Sequence, residues 1–150
     1  MTSSPTADLL QLDQQVCYAL AAASRSVIAL YRPVLEPLGL THPQYLVMLA
    51  LWESSPRTLA DLGGSLMLES ATLSPLLKRL EAAGLVTRAR NADDERALAI
   101  ELTPAGVALR TRALEVPGRI IAELGLPLSE LESLRDSLHT VIAAATHPAP

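Results

Sequence analysis

Two groups of side chains in this 150-residue sequence could do chemistry: a single thiol, Cys17, and a cluster of cations, Lys78, Arg79, Arg88, Arg90 and Arg96, preceded by hydroxyls at Ser70, Thr72 and Ser74. A thiol reacts as its thiolate, and an ordinary pKa near 8.5 leaves only about 3% ionised at pH 7. By its neighbours alone, Val16 and Leu20, Cys17 reads as a small buried hydrophobe. One cysteine can neither close an internal disulfide nor build a multi-cysteine metal site, so no metal or cofactor is expected. The chemistry of the cations is phosphate binding. The plainer reading of them is a solvated face with exposed ion pairs that contribute little.

The net charge of −4 argues at first against a nucleic-acid partner, but its distribution does not. Residues 1–53 hold two basic and four acidic side chains, residues 113–150 two and five, and residues 54–112 eight and seven. A local positive patch can hold phosphate while the remainder repels it. Hydrophobic residues make up 49% and aromatics 3%, with no Phe, so the core should be aliphatic and mainly helical. The longest apolar runs, 16–23 and 27–31, fall short of the roughly 20 residues a membrane span needs. The first ten residues carry no cation ahead of an apolar block, so no secretory signal is expected. Cytoplasmic residence without membrane contact is the expectation.

The elements that must position these groups follow from periodicity. Residues 9–38 read as one long helix with a stripe through Leu12, Val16, Ala19, Leu20, Ala23, Val27 and Leu30, which Pro33 and Pro37 should kink or end before Gly39. Thr41-His42-Pro43-Gln44 has the form of a capping box, opening a helix through Trp52 that is apolar on nearly all sides. Ser54-Ser55-Pro56 breaks it, and Thr58 starts a short helix with Leu59, Leu62 and Leu66. A turn near residues 67–69 leads to a helix over 70–83, closed by Gly84. From Leu85 the period becomes two, which predicts a two-stranded hairpin tipped by Asn91-Ala92-Asp93-Asp94-Glu95. Thr103-Pro104 starts another long helix, bent at Pro117-Gly118, and Ser129 to Glu132 forms a second capping box before a last amphipathic helix and a frayed tail over 147–150.

A helix-turn-helix followed by a hairpin wing is the winged-helix arrangement, so the fold class is mainly α with a small β-hairpin. The expected division is a DNA-binding lobe over about 42–104, flanked by dimerisation helices over about 9–40 and 104–145. Surplus striped helices must bury their apolar face, and a second copy of the chain is the commonest solution. In the helix over 70–83, Leu73, Leu76, Leu77 and Leu80 face inward, while Ser70, Thr72, Ser74 and Lys78 are left near the other side. Small hydroxyls let a helix sit deep in the major groove, although they are also ordinary first-turn residues. Pro75 lies slightly beyond the first turn and should distort the helix start. Arg96, next to Asp93-Asp94-Glu95, is a candidate to enter a narrow minor groove from the hairpin tip.

Leu80-Glu81-Ala82-Ala83-Gly84-Leu85-Val86-Thr87-Arg88, Asp94-Glu95-Arg96 and Leu102-Thr103-Pro104-Ala105-Gly106 resemble the multiple-antibiotic-resistance-regulator (MarR) family of winged-helix repressors. Leu12-Asp13-Gln14-Gln15-Val16-Cys17, Tyr31-Arg32-Pro33, Leu40-Thr41-His42-Pro43-Gln44-Tyr45, Leu51-Trp52-Glu53 and Leu68-Glu69-Ser70-Ala71-Thr72-Leu73-Ser74-Pro75 are most similar to its organic-hydroperoxide-sensing (OhrR) type. The likeness spans about residues 9–145. It implies a homodimeric repressor, not an enzyme, on a pseudo-palindromic double-stranded operator. DNA contacts would come from Ser70, Ala71, Thr72, Ser74, Pro75, Lys78 and Arg79 on the second helix and from Arg88, Arg90, Asp94 and Arg96 in the wing. Pro75 is itself part of the likeness.

For Cys17 the resemblance reverses the plain reading, because similar repressors place their reactive cysteine there. Lowering a thiol pKa by two units takes about 2.7 kcal/mol of preferential anion stabilisation, and in such repressors two Tyr hydroxyls of the other subunit contribute to it. Tyr31 matches one; His42 stands at the other position, and Ala21 replaces a further Tyr near the cysteine. A neutral His can donate one hydrogen bond, and a protonated one would favour the thiolate more strongly than Tyr. An organic hydroperoxide would oxidise Cys17 to the sulfenic acid. With no second cysteine, the chain resembles the single-cysteine class, which pairs with a low-molecular-weight thiol or overoxidises. An adduct near the subunit junction would disturb the roughly 34–36 Å between two recognition helices and release DNA. Three alternatives stand beside this: a repressor released by a noncovalent aromatic or amphipathic ligand in the dimer crevice, a thiol peroxidase using Cys17, and an interaction module with a decayed DNA surface. A peroxidase would want a resolving thiol and an activating Arg, and Arg25 and Arg32 fit no such motif; Arg88 and Arg96 count against a decayed surface.

Overall fold

Helix α1, Val16–Leu35, follows Gln15, which is extended (φ −82°, ψ 118°) and whose N–H donates to Leu12 O at 3.2 Å. The structure, a computed structural model, describes residues 10–12, 15–91 and 94–147, and the side chains of residues 90–97 lie outside that description. The start expected at residue 9, the hairpin tip at 92–93 and the tail at 148–150 therefore fall outside the described residues. The chain divides into two compact units, Met1–Leu114 and Glu115–Pro150.

In the first unit, Pro33 is carried inside α1 without ending it. The helix stops at Leu35, and a 3-10 turn containing Pro37, Glu36–Leu38, is closed by Gly39 at φ 72°. The expected capping box forms: Thr41 Oγ1 accepts from Gln44 N–H at 3.4 Å and Gln44 Oε1 accepts from Thr41 N–H at 2.9 Å. It opens α2, His42–Glu53, whose Tyr45, Val47, Met48, Ala50 and Leu51 are buried, so this helix is the centre of the core. A two-residue strand that periodicity cannot reveal, β1 (Arg57–Thr58), follows the break at Pro56. Thr58 caps α3, Leu59–Leu66, by accepting from Asp61 N–H at 3.1 Å.

Met67 at φ 57° makes the turn into α4, Ser70–Ala82. The turn is tight enough that a Cβ on Gly63 would lie 2.8 Å from Leu68 O. Leu73, Leu76, Leu77 and Leu80 are buried as expected. The helix closes in a Schellman motif, with Leu85 N–H donating to Leu80 O and Gly84 N–H to Glu81 O, both at 3.0 Å, and Gly84 at φ 77°. Strands β2, Val86–Asn91, and β3, Asp94–Leu102, form the wing, and β1 adds to its far edge in the antiparallel order β1-β3-β2. Fully buried Ile100 on the central strand lies opposite Arg57 on one side and Arg88 on the other. Thr103 caps α5, Pro104–Ala113, accepting from Gly106 N–H at 3.1 Å and donating to Gly84 O at 2.6 Å. The indole of Trp52 donates to Gly106 O at 2.9 Å, which ties α2 to α5.

In the second unit, the helix expected to bend at Pro117 is instead a separate element. In a continuous helix the Pro117 ring would clash with the carbonyl of Ala113; α5 ends at Ala113, and α6, Val116–Leu124, restarts with Pro117 in its first turn. The capping box expected at Ser129 does not form. Pro127 is the N-cap of α7, Leu128–Thr146, and its carbonyl accepts from Glu130 and Leu131 N–H, so Ser129 is already inside the first turn. No residue of α7 is buried, and Leu134, Val141 and Ile142 are exposed.

Candidate functional site

Helix α4 presents a largely polar face that carries the residues predicted on it. Ser70, Ala71, Thr72, Pro75, Lys78 and Arg79 are exposed on α4 and Ser74 is half-buried, opposite the buried leucines. Pro75 does not break the helix, which continues through it to Ala82. Lys78 and Arg79 take part in no ion pair among the described residues. Their ammonium and guanidinium groups are open to phosphate.

Arg88 is placed differently from a free cation. Its Nε donates to Glu81 Oε2 at 3.2 Å and its Nη2 to Glu81 Oε1 at 3.1 Å, a two-pronged pair that fastens the C-terminal turn of α4 to β2. The paired Arg88 guanidinium lowers the Glu81 carboxyl pKa, and Glu81 in turn raises that of Arg88. Arg90, Asp94 and Arg96 lie on the wing strands, with Asn91 opposite Asp94, and their side chains are outside the described residues. Arg96 is the third residue of β3 rather than a tip residue.

Cys17 is exposed, contrary to a reading as a buried hydrophobe, because its neighbours Val16 and Tyr18 are also uncovered in the single chain. It occupies the second position of α1, where the helix dipole favours an anion. Tyr31 lies 14 residues further along the same helix, a rise of about 21 Å. Tyr31 and His42 are brought together: their rings meet edge-on with centroids 4.8 Å apart. Tyr45, which the sequence reading quoted only within the resemblance and gave no role, joins them at 5.8 Å from Tyr31. Its placement three residues after His42, on one helix face, was the available signal. Burial raises the pKa of Tyr31 and, with the added effect of Tyr31, that of Tyr45, so both keep their protons; burial lowers that of His42, which favours neutral imidazole. Beside His42, a groove of about 480 Å³ runs between Ile28, Arg32, Glu36, Leu40 and His42 itself. Within one chain, then, Tyr31, His42 and Tyr45 form a cluster of donors and Cys17 stands apart from it.

Residues 29–110 match the family described as transcriptional regulator SarA/Rot. The organic hydroperoxide resistance transcriptional regulator of Bacillus subtilis (strain 168) is 40% identical over 135 residues, covering 90% of this chain and 92% of that protein. Among solved structures, reduced AbfR bound to DNA, a Staphylococcus epidermidis protein, superposes with a TM-score of 0.78 at 34% identity, covering 95% of this chain and 99% of that one. Overoxidised AbfR bound to DNA gives a TM-score of 0.75 at 35% identity, over 93% and 98% of the two chains.

Proposed function

We infer the function from one premise: the chain belongs to the winged-helix transcriptional regulators of the MarR and SarA/Rot type. It is a DNA-binding regulator and not an enzyme. Beyond that, we propose a homodimeric repressor that senses organic hydroperoxides through Cys17. The observation that carries this reading is the separation of about 21 Å along α1 between an exposed thiol and the Tyr31–His42 cluster. A straight helix cannot fold back on itself, so a second subunit is needed to bring those donors to Cys17.

Neutral His42 offers one N–H and protonated Tyr31 one O–H, and hydrogen bonds to the charged form favour the thiolate. The thiolate attacks the peroxide: an S–O bond forms, the O–O bond breaks, sulfur loses two electrons and the organic product leaves as an alkoxide that takes a proton from water. The sulfenic acid then condenses with a low-molecular-weight thiol, forming an S–S bond and releasing water. Overoxidised AbfR is DNA-bound, which favours the mixed disulfide over the sulfinate as the releasing form here. The lobe over 42–104 reads a pseudo-palindromic operator, with Ser70, Ala71, Thr72, Ser74, Pro75, Lys78 and Arg79 in the major groove and Arg90, Asp94 and Arg96 reaching from the wing. Arg88 contributes by holding the wing to Glu81. The helices on either side make the dimer. No helix among the described residues is long and apolar enough to cross a membrane, and the cytoplasm is the proposed location.

The test is binding to a duplex from upstream of the protein's own gene, with and without cumene hydroperoxide and a small thiol, for wild type and Cys17→Ser. Peroxide should release the wild type and leave the variant bound. Release of both proteins removes Cys17 as the switch. The groove beside His42 favours a second reading, a noncovalent aromatic ligand; release of both proteins by a phenolic acid without peroxide would select it.

A further inference from the structure

Arg57 is a nearly buried cation outside the sensing cluster and the groove-facing surface, with 10% of its side chain exposed. Its Nε donates to Asp61 Oδ2 at 2.6 Å, its Nη1 to Ala50 O at 3.1 Å and its Nη2 to Ser65 Oγ. Asp61 and Ser65 lie one turn apart on α3, and Ala50 O is in the last turn of α2, where it also accepts from Ser54 N–H at 3.1 Å. The main chain of Arg57 is at the same time part of β1, paired opposite Ile100 of the wing's central strand. One residue therefore holds the end of α2, the first helix of the helix-turn-helix and the base of the wing.

The choice of arginine follows from the acceptors. They lie in different directions, and a planar fork with five donors reaches them at once, whereas an ammonium on a flexible stem does not. Asp61 is 56% exposed, so the pair belongs to the class of surface contacts that add little to stability. What the arrangement fixes is orientation. Helix α2 carries His42 at its first residue and Ala50 near its last, so a single helix joins the aromatic cluster to the Arg57 fork.

We propose that Arg57 is a positioning residue that couples the sensing end of α2 to the DNA-reading surface, holding α3 and the wing in the orientation that fits a specific operator. The proposal rests on the DNA-binding reading of the chain. The guanidinium of Arg57 is bonded within the lobe, to Asp61, Ala50 O and Ser65, and the proposal gives it no phosphate contact.

The test compares the full chain with Arg57→Lys and Asp61→Asn on the upstream duplex and on a scrambled duplex of equal length, across a salt series. The environment of Trp52, which is bonded to Gly106 rather than to Arg57, monitors folding by fluorescence. Arg57→Lys should lose about tenfold in operator affinity while folded, which is the loss of one charge-assisted contact. Binding to the scrambled duplex and the slope of log affinity against log salt should not change. Unchanged operator affinity in a folded Arg57→Lys protein overturns the proposal and leaves Arg57 a merely structural residue. A slope smaller by about one overturns it in favour of a direct phosphate contact. If the wild type binds no duplex at low salt, the DNA-binding reading fails and the proposal falls with it.

Discussion

His42 illustrates how one side chain can be both a proposed sensor part and a titratable group. Burial lowers its pKa from the ordinary 6.5, so the unfolded chain takes up the proton more readily than the folded one. Its stabilising effect is therefore present above the unfolded value and is lost as pH falls through the folded value. Between about pH 7.5 and about pH 5, thermal melts of the wild type should lose more stability than melts of His42→Gln. Parallel curves would mean that the imidazole is not desolvated. The same residue shows where sequence reading reached its limit: position 42 was recognisable as a departure from similar repressors, but the edge-on contact with Tyr31 and the third ring at Tyr45 were not. Spacing places residues on a face of one helix and does not say which other helix lies against that face.

Among the elements, the joints that sequence marked most clearly are local ones. Thr41 with Gln44, Thr103 with Pro104 and Gly84 at the end of α4 each satisfy backbone groups within a few residues, so their signals survive without knowledge of packing. Glycines distinguish two kinds of joint. A Cβ on Gly106 would meet Leu85 O at 2.2 Å, whereas one on Gly64 inside α3 meets nothing within 4 Å. Gly106→Ala should therefore lower the urea midpoint by an amount equivalent to about 1–3 kcal/mol. Gly64→Ala should raise stability by about 0.5–1 kcal/mol. A neutral Gly106→Ala would show that the α5 start can shift away from Leu85. Elements set by distant partners were less legible. Strand β1 is two residues long and exists through pairing with β3, and the break between α5 and α6 depends on where Pro117 would meet a carbonyl.

For the whole molecule, exposed apolar side chains mark what the isolated chain leaves unfinished. Leu10, Leu12 and Val16 are exposed in the stretch before Cys17, and Leu134, Val141 and Ile142 are exposed on α7. Apolar side chains left in water are the material of association surfaces, and the proposed dimer would cover them. The surplus striped helices are what the sequence offers in favour of a dimer, whereas the residues that would face one another across the proposed interface are not legible, because a single sequence carries no information on its own copy.

The distance between Cys17 and Tyr31 along one rod has a genetic consequence. If each sensing centre is a composite of two polypeptides, two defective alleles can repair each other. A cell producing both Cys17→Ser and Tyr31→Phe chains should form mixed assemblies in which the first chain lends its intact tyrosine to the second chain's intact thiol. Half of the centres in such hybrids would be whole, and hybrids purified away from the two peroxide-insensitive homodimers, which would otherwise keep an operator occupied, should release operator DNA on peroxide although neither homodimer does. Absence of this interallelic rescue, with hybrid assembly verified by mass, would place the thiol and its activating groups in the same polypeptide.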